Sequence, residues 1–244
     1  MAGREPTVAV FRPDDERLAE AVEYLESLGA EAVGDPMLAV EPTGATPRPD
    51  ADYAVLTSKT GVELAAEGGW DADGTTVCAI GESTADALRE RGYEVDVVPQ
   101  EFSSAGLVGA LADRVDGARA EVARSDHGSA VLTDGLTDAG GYVHETVLYR
   151  LVRPEGAGES VDLAAAGDLD AALFTSSLTV EHFLEAAADR DVREAALSGL
   201  DGAVVGAIGA PTRETAEERG VDVDVVPPTA EFEGLADAVA DALR

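Results

Sequence analysis

Short polar motifs recur at matching points in the two halves of the chain, and their residue types suit anion binding. Thr57-Ser58 in the first half corresponds to Thr175-Ser176 in the second, and Gly81-x-x-Thr84 corresponds to Gly209-x-x-Thr212. Each motif follows a short apolar run and precedes an amphipathic segment, as expected for a helix N-terminus after a strand. The free N–H groups of such a terminus attract carboxylates and phosphates. A single Ser or Thr there is most often only a helix cap, but the paired recurrence favours a ligand-binding role.

These motifs belong to a longer internal repeat. Residues 78–113 align without a gap on residues 206–241, and residues 52–67 match residues 170–185 in the same order. The repeat period of about 120 residues is too long for a solenoid, whose units are roughly 20–50 residues long. The sequence therefore predicts two similar lobes.

Strands and helices alternate in the predicted structure of each repeat. Tyr53–Leu56 and Ala171–Phe174 are short apolar runs typical of strands buried on both faces. The other predicted strands are Val8–Phe11, Thr76–Ile80, Ala203–Ile208, Val95–Val98 and Val223–Val226. This alternation indicates parallel sheets with right-handed crossovers. Ligands bind at the carboxyl ends of strands in such sheets, and these ends carry the motifs above together with residues 125–128.

The chain is predicted to cross between the lobes twice. Leu38–Val40 and Val147–Val152 are apolar segments that lie on either side of the first repeat block. We therefore expect a discontinuous first lobe of residues 1–38 plus 150–244 and a second lobe of residues 39–149. The two crossing segments would act as a paired hinge.

The charge of the chain is strongly negative. Its 244 residues include 49 acidic and 17 basic ones, which gives a formal net charge of −32. At molar salt the Debye length falls to about 3 Å, so that repulsion between surface carboxylates is mostly screened. We interpret the acidity as adaptation to a salt-filled, halophilic cytoplasm; an acidic surface for a basic partner is the alternative. Nucleic-acid binding is disfavoured, because no cluster of Lys and Arg is present to neutralise phosphates.

Several other classes of protein are disfavoured by motifs that the sequence lacks. No stretch approaches the roughly 18 consecutive apolar residues of a membrane span, and residues 1–7 do not have the pattern of a signal peptide, so a cytoplasmic location without membrane contact is expected. Cys78 is the only cysteine, which excludes an internal disulfide and the usual Cys-rich zinc sites. The sequence contains neither a P-loop nor a dinucleotide-binding G-x-G-x-x-G after its first strand. His127, His144 and His182 lack metal-ligand spacing, and His182 is predicted to be a packing or surface residue.

The series of motifs resembles the uroporphyrinogen-III synthase family over nearly the whole chain. The resemblance is carried by AIGESTADALRERGYEVDVVPQEFSSAGL and by its partner in the second half, FTSSLTVEHFLE followed by AIGAPTRETAEERGVDVDVVP. The opening VAVFRP, with Arg12-Pro13, resembles the first strand and turn of the family. The segment VHETVLYRLVRP resembles its return crossing, in which a Tyr matches Tyr149. No single motif is diagnostic, but the series is fairly specific.

The resemblance implies an α/β fold of two flavodoxin-like parallel-sheet lobes, joined by a two-stranded linker, with the active site in the cleft between them. It implies a cofactor-independent, metal-free lyase that cyclises hydroxymethylbilane to uroporphyrinogen III, with loss of water and inversion of the last pyrrole ring. Tyr149 would assist departure of the hydroxyl group. The substrate-binding residues implied by position or by their place at strand ends are Thr57, Ser58, Thr84, Ser125, Ser176, Ser177 and Thr212, with Arg12 and Arg124 as weaker candidates. We expect a monomer that meets hydroxymethylbilane synthase transiently.

Two other functions stay open at this point. The chain would also suit a non-catalytic bilobal binding protein for a polyanionic small molecule. A different enzyme on flavodoxin-like lobes, acting on a sugar phosphate or a nucleotide, is the second alternative. Formation of uroporphyrinogen III from hydroxymethylbilane would distinguish the lyase from both.

Overall fold

The computed structural model describes residues 4–244. Its strands are β1 (Thr7–Pro13), β2 (Glu31–Pro42), β3 (Tyr53–Leu56), β4 (Thr76–Ala79), β5 (Arg119–Ser125), β6 (Tyr142–Val152), β7 (Ala171–Phe174) and β8 (Val204–Ala207). Its helices are α1 (Glu16–Ser27), α2 (Lys59–Glu67), α3 (Glu82–Glu90), α4 (Ser104–Leu111), α5 (Ala130–Asp138), α6 (Glu159–Ala166), α7 (Ser177–Asp189), α8 (Arg193–Leu200), α9 (Ala210–Glu218) and α10 (Phe232–Ala242). In this described part of the chain, no helix combines the length and the apolar character that a membrane span requires.

The chain divides into two compact units. The first unit comprises residues 4–39 together with Val152–Arg244, and the second comprises Val40–Leu151. The chain passes from the first unit to the second near the end of β2 and returns at the end of β6.

The first unit contains a parallel sheet with the strand order β2-β1-β7-β8. Phe11 lies beside Phe174, and Phe174 lies beside Ala207, so the carboxyl ends of three strands reach the same level. Alternate residues of the strands face opposite cores, because successive side chains of a strand point to opposite faces. Helices α6 to α9 cover one face, where the rings of Phe11 and Phe174 stack at 4.5 Å, and α1 and α10 cover the other.

The second unit repeats this arrangement with the strand order β4-β3-β5-β6, again parallel. Leu56 at the end of β3 lies beside Ala79 of β4 and Ala123 of β5. Helices α2 and α3 pack on one face and α4 and α5 on the other. The predicted α/β class with parallel sheets is confirmed, and β3 and β7 have the predicted bounds.

Glycines end the corresponding helices of the two repeats as predicted. Gly92 follows α3 with a φ of +88°, and Gly220 follows α9 with a φ of +86°. Only glycine adopts this left-handed conformation without a steric penalty from a Cβ atom. The chain can therefore turn back sharply after each helix.

The predicted third strands at Val95–Val98 and Val223–Val226 are wrong. Each segment forms only one isolated parallel bridge, Cys78 to Val97 and Gly206 to Val225. The carboxylate of Asp96 accepts the N–H of Val77 at 2.8 Å, and Asp224 does the same for Val205. In each case the aspartate side chain accepts the strand N–H that a backbone carbonyl of a neighbouring strand would otherwise have accepted. The apolar segment therefore runs beside β4 or β8 without forming a further strand.

A buried carboxylate holds the start of α6 in the first unit. Asp35 of β2 is 2% exposed and accepts the N–H groups of Gly158 at 2.9 Å and Ser160 at 3.0 Å, together with the Ser160 hydroxyl. Gly158, the N-cap residue, has no side chain and a φ of +114°. Asp35 therefore caps this helix from another element, and its charge also favours the positive end of the helix dipole.

We predict that Asp35→Ala lowers the free energy of unfolding by about 2–4 kcal/mol, because the buried N–H groups of α6 lose their charged acceptor. Asp35→Asn keeps an acceptor oxygen and should lose about half as much. Denaturant unfolding at molar KCl measures both values. The exposed Asp222 provides a matched control, since Asp222→Ala removes one carboxylate without a buried contact; equal losses in the Asp35 and Asp222 variants would contradict the prediction.

Candidate functional site

The carboxyl edge of the second unit's sheet collects backbone donors and hydroxyl groups. Ser58 is the N-cap of α2, and its Oγ accepts the N–H of Gly61 at 3.0 Å. After the neighbouring strand β4, Gly81 is the N-cap of α3, where no side chain caps the helix. The first N–H groups of α3 therefore have no side-chain acceptor and can bind an anion.

Tyr149 reaches the same edge from β6. The register shifts at the end of β5, so that Ser125 lies beside Tyr149. The Tyr149 side chain packs in the core that α2 and α3 cover, and the residue is 7% exposed. Its hydroxyl donates to the Oγ of Ser58 at 3.0 Å. The structure thus joins Tyr149 and Ser58, which are both predicted site residues.

The other predicted residues of this unit have different surroundings. Thr57 follows β3 and is half-buried, whereas Thr84 lies inside the first turn of α3 and is only 3% exposed. Arg124 is 4% exposed; its Nε donates to Glu145 at 2.7 Å and its Nη1 to the carbonyl of Ser129 at 2.6 Å. These contacts occupy two of its donor groups and hold the loop between β5 and α5. A role for Arg124 as a substrate ligand stays a prediction.

Gly128 packs against the buried side chain of Arg124. A Cβ atom at Gly128 would lie 2.3 Å from the Arg124 side chain. Because such a distance is far below van der Waals contact, a larger residue at this position would require the Arg124 side chain to shift. Packing against Arg124, as well as the turn, therefore favours glycine at the end of the SDHG sequence of residues 125–128.

The corresponding edge of the first unit carries two guanidinium groups. Arg12 and Arg17 line a cavity of about 240 Å³ together with Thr175, Ser176 and Phe232. The Arg12 guanidinium lies 4.9 Å from the centre of the Phe232 ring, and its buried Nε has no hydrogen-bond partner among the described residues. Burial, with the nearby charge of Arg17, lowers the pKa of Arg12. An anion in this cavity would offset both effects.

Hydroxyl groups complete this edge and also link its elements. Ser176 is the N-cap of α7 and accepts the N–H of Thr179 at 3.2 Å, in a capping box. The Ser177 hydroxyl donates to the carbonyl of Pro211 at 3.0 Å and so ties α7 to α9. Thr212 is 4% exposed. Gly209 precedes α9 without a side-chain cap, as Gly81 precedes α3.

Sequence reasoning missed three residues at these edges. Phe102 is 62% exposed and lies against Gly81, where an added Cβ atom would be 3.3 Å from its side chain. Phe232 lies under Arg12, and Arg17 shares its cavity. The only signal for Phe102 in the sequence was that a single aromatic residue stands in a polar loop. Arg12 and Arg17 are five residues apart, and that spacing brings them together only because α1 begins between them.

The histidines lie apart from one another. His182 is buried, with its Nδ1 at 2.6 Å from the carbonyl of Met37, which confirms a packing role. His144 contacts the buried Glu121 at 2.8 Å, and His127 contacts Asp126 at 2.8 Å in the loop after β5. Among residues 4–244, no group of three or more His, Cys, Asp and Glu side chains has an arrangement that could hold a metal ion.

Comparisons with known proteins identify relatives over the whole length of the chain. A protein of Methanothermobacter thermautotrophicus described as a "Putative uroporphyrinogen-III synthase" is 34% identical over 230 residues, which cover 88% of this chain and 90% of the relative. The uroporphyrinogen-III synthase of Chlorobaculum parvum is 25% identical and covers 98% of this chain and 99% of its own.

Solved structures share the fold. A uroporphyrinogen III synthase structure from Thermus thermophilus superposes with a TM-score of 0.69 at 22% identity, covering 98% of each chain. The enzyme of Helicobacter pylori gives a TM-score of 0.62 at 15% identity over 98% of this chain and 100% of that one. The family model described as "Uroporphyrinogen-III synthase HemD" matches residues 19–237. Since this match spans most of the sequence, the chain belongs to the uroporphyrinogen-III synthase family.

Proposed function

We propose that this chain is a uroporphyrinogen-III synthase, which cyclises hydroxymethylbilane with loss of water and inversion of the last pyrrole ring. Family membership supports the reaction, since the curated relatives carry this name. The structural observation that carries the proposal is the hydroxyl pair of Tyr149 and Ser58 at 3.0 Å, at a sheet edge that offers free N–H groups. A phenol beside an anion-binding edge suits the departure of a hydroxyl group from a polycarboxylate.

The proposed chemistry needs little from the protein besides geometry. Departure of hydroxide leaves a delocalised azafulvenium cation, which a pyrrole of the same substrate can attack. The substrate therefore supplies both the electrophile and the nucleophile, and we propose that no cofactor takes part. The main task of the protein is to hold the bilane so that attack with inversion is faster than attack without it, which is selective binding of one transition state.

Carboxylates of the substrate are proposed to bind at the carboxyl edges of both units. In the first unit the donors would be Arg12, Ser176 and the open N-terminus of α9. Arg12 is favoured because its buried Nε has no partner among residues 4–244. In the second unit they would be Thr57, Ser125 and the open N-terminus of α3. Ser177, Thr84, Thr212 and Arg124 are more engaged or more buried, and we propose that they shape these edges.

We also propose the cellular environment and the oligomeric state of the protein. The net charge of −32 supports a halophilic protein in a salt-rich cytoplasm, because only high salt screens so many like charges. We propose a monomer that receives its substrate from hydroxymethylbilane synthase through transient encounters.

The proposed activity is tested with purified protein, hydroxymethylbilane and separation of the type I and type III products by chromatography. Hydroxymethylbilane that is generated enzymatically in the assay should give mainly the type III isomer at molar KCl. Formation of the type I isomer alone, at the rate observed without protein, would contradict the proposal and favour a binding protein. Tight binding of a sugar phosphate, without affinity for a tetrapyrrole, would favour the other enzyme class.

We predict that Tyr149→Phe lowers turnover by about 10²–10⁴-fold, the usual range for loss of a general acid, without abolishing it. The ring remains in its core, so the fold should survive, as circular dichroism would show. Tyr53→Phe is the matched control, since the Tyr53 hydroxyl donates only to the carbonyl of Arg114 at 3.3 Å. A loss below twofold in Tyr149→Phe would remove this hydroxyl from the mechanism.

We also predict that activity increases with KCl up to molar concentrations. Repulsion between the acidic protein and an anionic substrate opposes binding in dilute buffer, and salt screens it. Initial rates across a KCl series at fixed pH measure the effect, with KM expected to fall. Activity that is highest in dilute buffer and decreases steadily with salt would contradict the halophilic interpretation.

A further inference from the structure

The hydroxyl of Ser58 has one hydrogen left to donate. Its Oγ accepts two hydrogen bonds, from the N–H of Gly61 and from the hydroxyl of Tyr149, both at 3.0 Å. A serine hydroxyl has two acceptor lone pairs and one donor hydrogen. Both acceptor positions are thus filled, and among residues 4–244 the structure gives the Ser58 hydrogen no acceptor. Ser58 is half-buried, so a ligand at this edge can reach it.

The Tyr149 hydroxyl, in contrast, lies 3.0 Å from the Ser58 Oγ, and with Tyr149 as the donor its hydrogen is directed to that oxygen. The Tyr149 residue is held by its register beside Ser125, and its carbonyl accepts the N–H of Asp126 at 3.2 Å. The ring packs in the core that α2 and α3 cover. Direct donation from Tyr149 to a leaving group would require the bond to Ser58 to break first. A path through Ser58 requires no such movement.

The first unit provides an internal comparison. Ser176 occupies the corresponding N-cap position of α7 and accepts the N–H of Thr179 at 3.2 Å. No tyrosine hydroxyl donates to Ser176 in the described part of the chain. Capping alone therefore does not require a phenol at this position, and the second unit has a feature that capping does not explain.

We propose that Ser58 delivers the proton to the departing hydroxyl of the substrate and that Tyr149 replaces it in the same step; this rests on the proposed function. The carbon–oxygen bond of the hydroxymethyl group breaks with its electron pair on oxygen, and that oxygen takes the Ser58 proton to leave as water. Ser58 takes the phenolic proton of Tyr149, which becomes a phenolate close to the azafulvenium cation.

The second half of the reaction returns the proton to Ser58 and Tyr149. For the inverted product, the last pyrrole first attacks the cation through the carbon that already bears its bridge, which gives a spiro intermediate. The old bridge bond then breaks to leave a second azafulvenium cation, the free α-carbon of the inverted ring attacks this cation to close the macrocycle, and that carbon loses its proton so that the ring regains aromaticity. That proton returns to the Tyr149 phenolate through Ser58. Each turnover then releases only water, with no net proton gained or lost and no oxidant or reductant needed. Ser58 is the catalytic residue in this scheme, and Tyr149 acts through it.

The test separates the hydroxyl of Ser58 from its function as a cap. Ser58→Asn keeps an N-cap acceptor but has no hydroxyl, whereas Ser58→Thr keeps both. Ser103→Ala is the matched control for the loss of a cap, because Ser103 begins α4 in the same unit and its Oγ also accepts an N–H, that of Gly106, at 3.0 Å. Each variant is assayed for kcat, KM and the type III product at molar KCl.

We expect Ser58→Asn and Ser58→Ala to lower kcat by about 10²-fold or more, with a smaller change in KM, and Ser58→Thr to stay within about tenfold of the wild-type kcat. Ser103→Ala should keep the wild-type kcat. Because the two hydroxyls act in series, Ser58→Ala combined with Tyr149→Phe should be no slower than the slower single variant. A loss in kcat that Ser58→Thr restores and Ser58→Asn does not would not arise from a purely structural role.

Three results would overturn the relay. The first is a Ser58→Asn enzyme with wild-type kcat, and the second is a loss confined to KM, which would make Ser58 a substrate ligand only. The third is a double variant whose losses multiply, which would show that the hydroxyls act independently. Failure of the proposed function is distinguishable, since the wild-type protein would then form no type III product. If Ser58→Ala does not fold, the comparison of Ser58→Asn with Ser58→Thr still decides the question.

Discussion

The parallel arrangement of the strands is the constraint on which the functional edges depend. Parallel neighbours must be joined by a crossover, here a helix, so every strand of a unit ends at the same edge and most are followed by a helix N-terminus. The register brings Leu56, Ala79 and Ala123 to one level in the second unit, and Phe11, Phe174 and Ala207 to one level in the first. Unpaired N–H groups therefore gather at the edge without any specific residue having been selected for that purpose.

The residue that caps each helix then decides which of these N-termini remain open. Ser58 and Ser176 satisfy a backbone donor of their own helices, and Asp35 satisfies those of α6 from a neighbouring strand. Gly81 and Gly209 satisfy none with a side chain. In each repeat, therefore, one helix begins with a serine cap (α2 and α7), and the next begins at a glycine and keeps its first N–H groups without a side-chain acceptor (α3 and α9). The open termini are the positions at which a carboxylate gains most from binding.

The two repeats keep a common scaffold but differ in the chemistry at their edges. The first unit has guanidinium groups at its edge, where Arg17 pairs with Asp15 and Arg12 lies against the Phe232 ring. The Arg12 Nε, without a partner among residues 4–244, is suited to holding an anion. The second unit has the hydroxyl pair of Tyr149 and Ser58, which is suited to moving a proton. The two units thus differ in the side chains at their edges, although both have four parallel strands in the corresponding order.

The amino-acid sequence by itself determined the α/β class, the two repeats, most strand positions, and the glycines after α3 and α9, because these depend on local periodicity and local backbone conformation. Tertiary structure decided the rest. The contact between Ser58 and Tyr149 joins residues far apart in the sequence, and Arg124 is directed inward by Glu145 and Ser129. The segments at Val95–Val98 and Val223–Val226 have strand-like patterns, yet Asp96 and Asp224 take the donors that a ladder would need. Such outcomes depend on which groups meet in space, and neither apolar spacing nor residue type specifies those meetings.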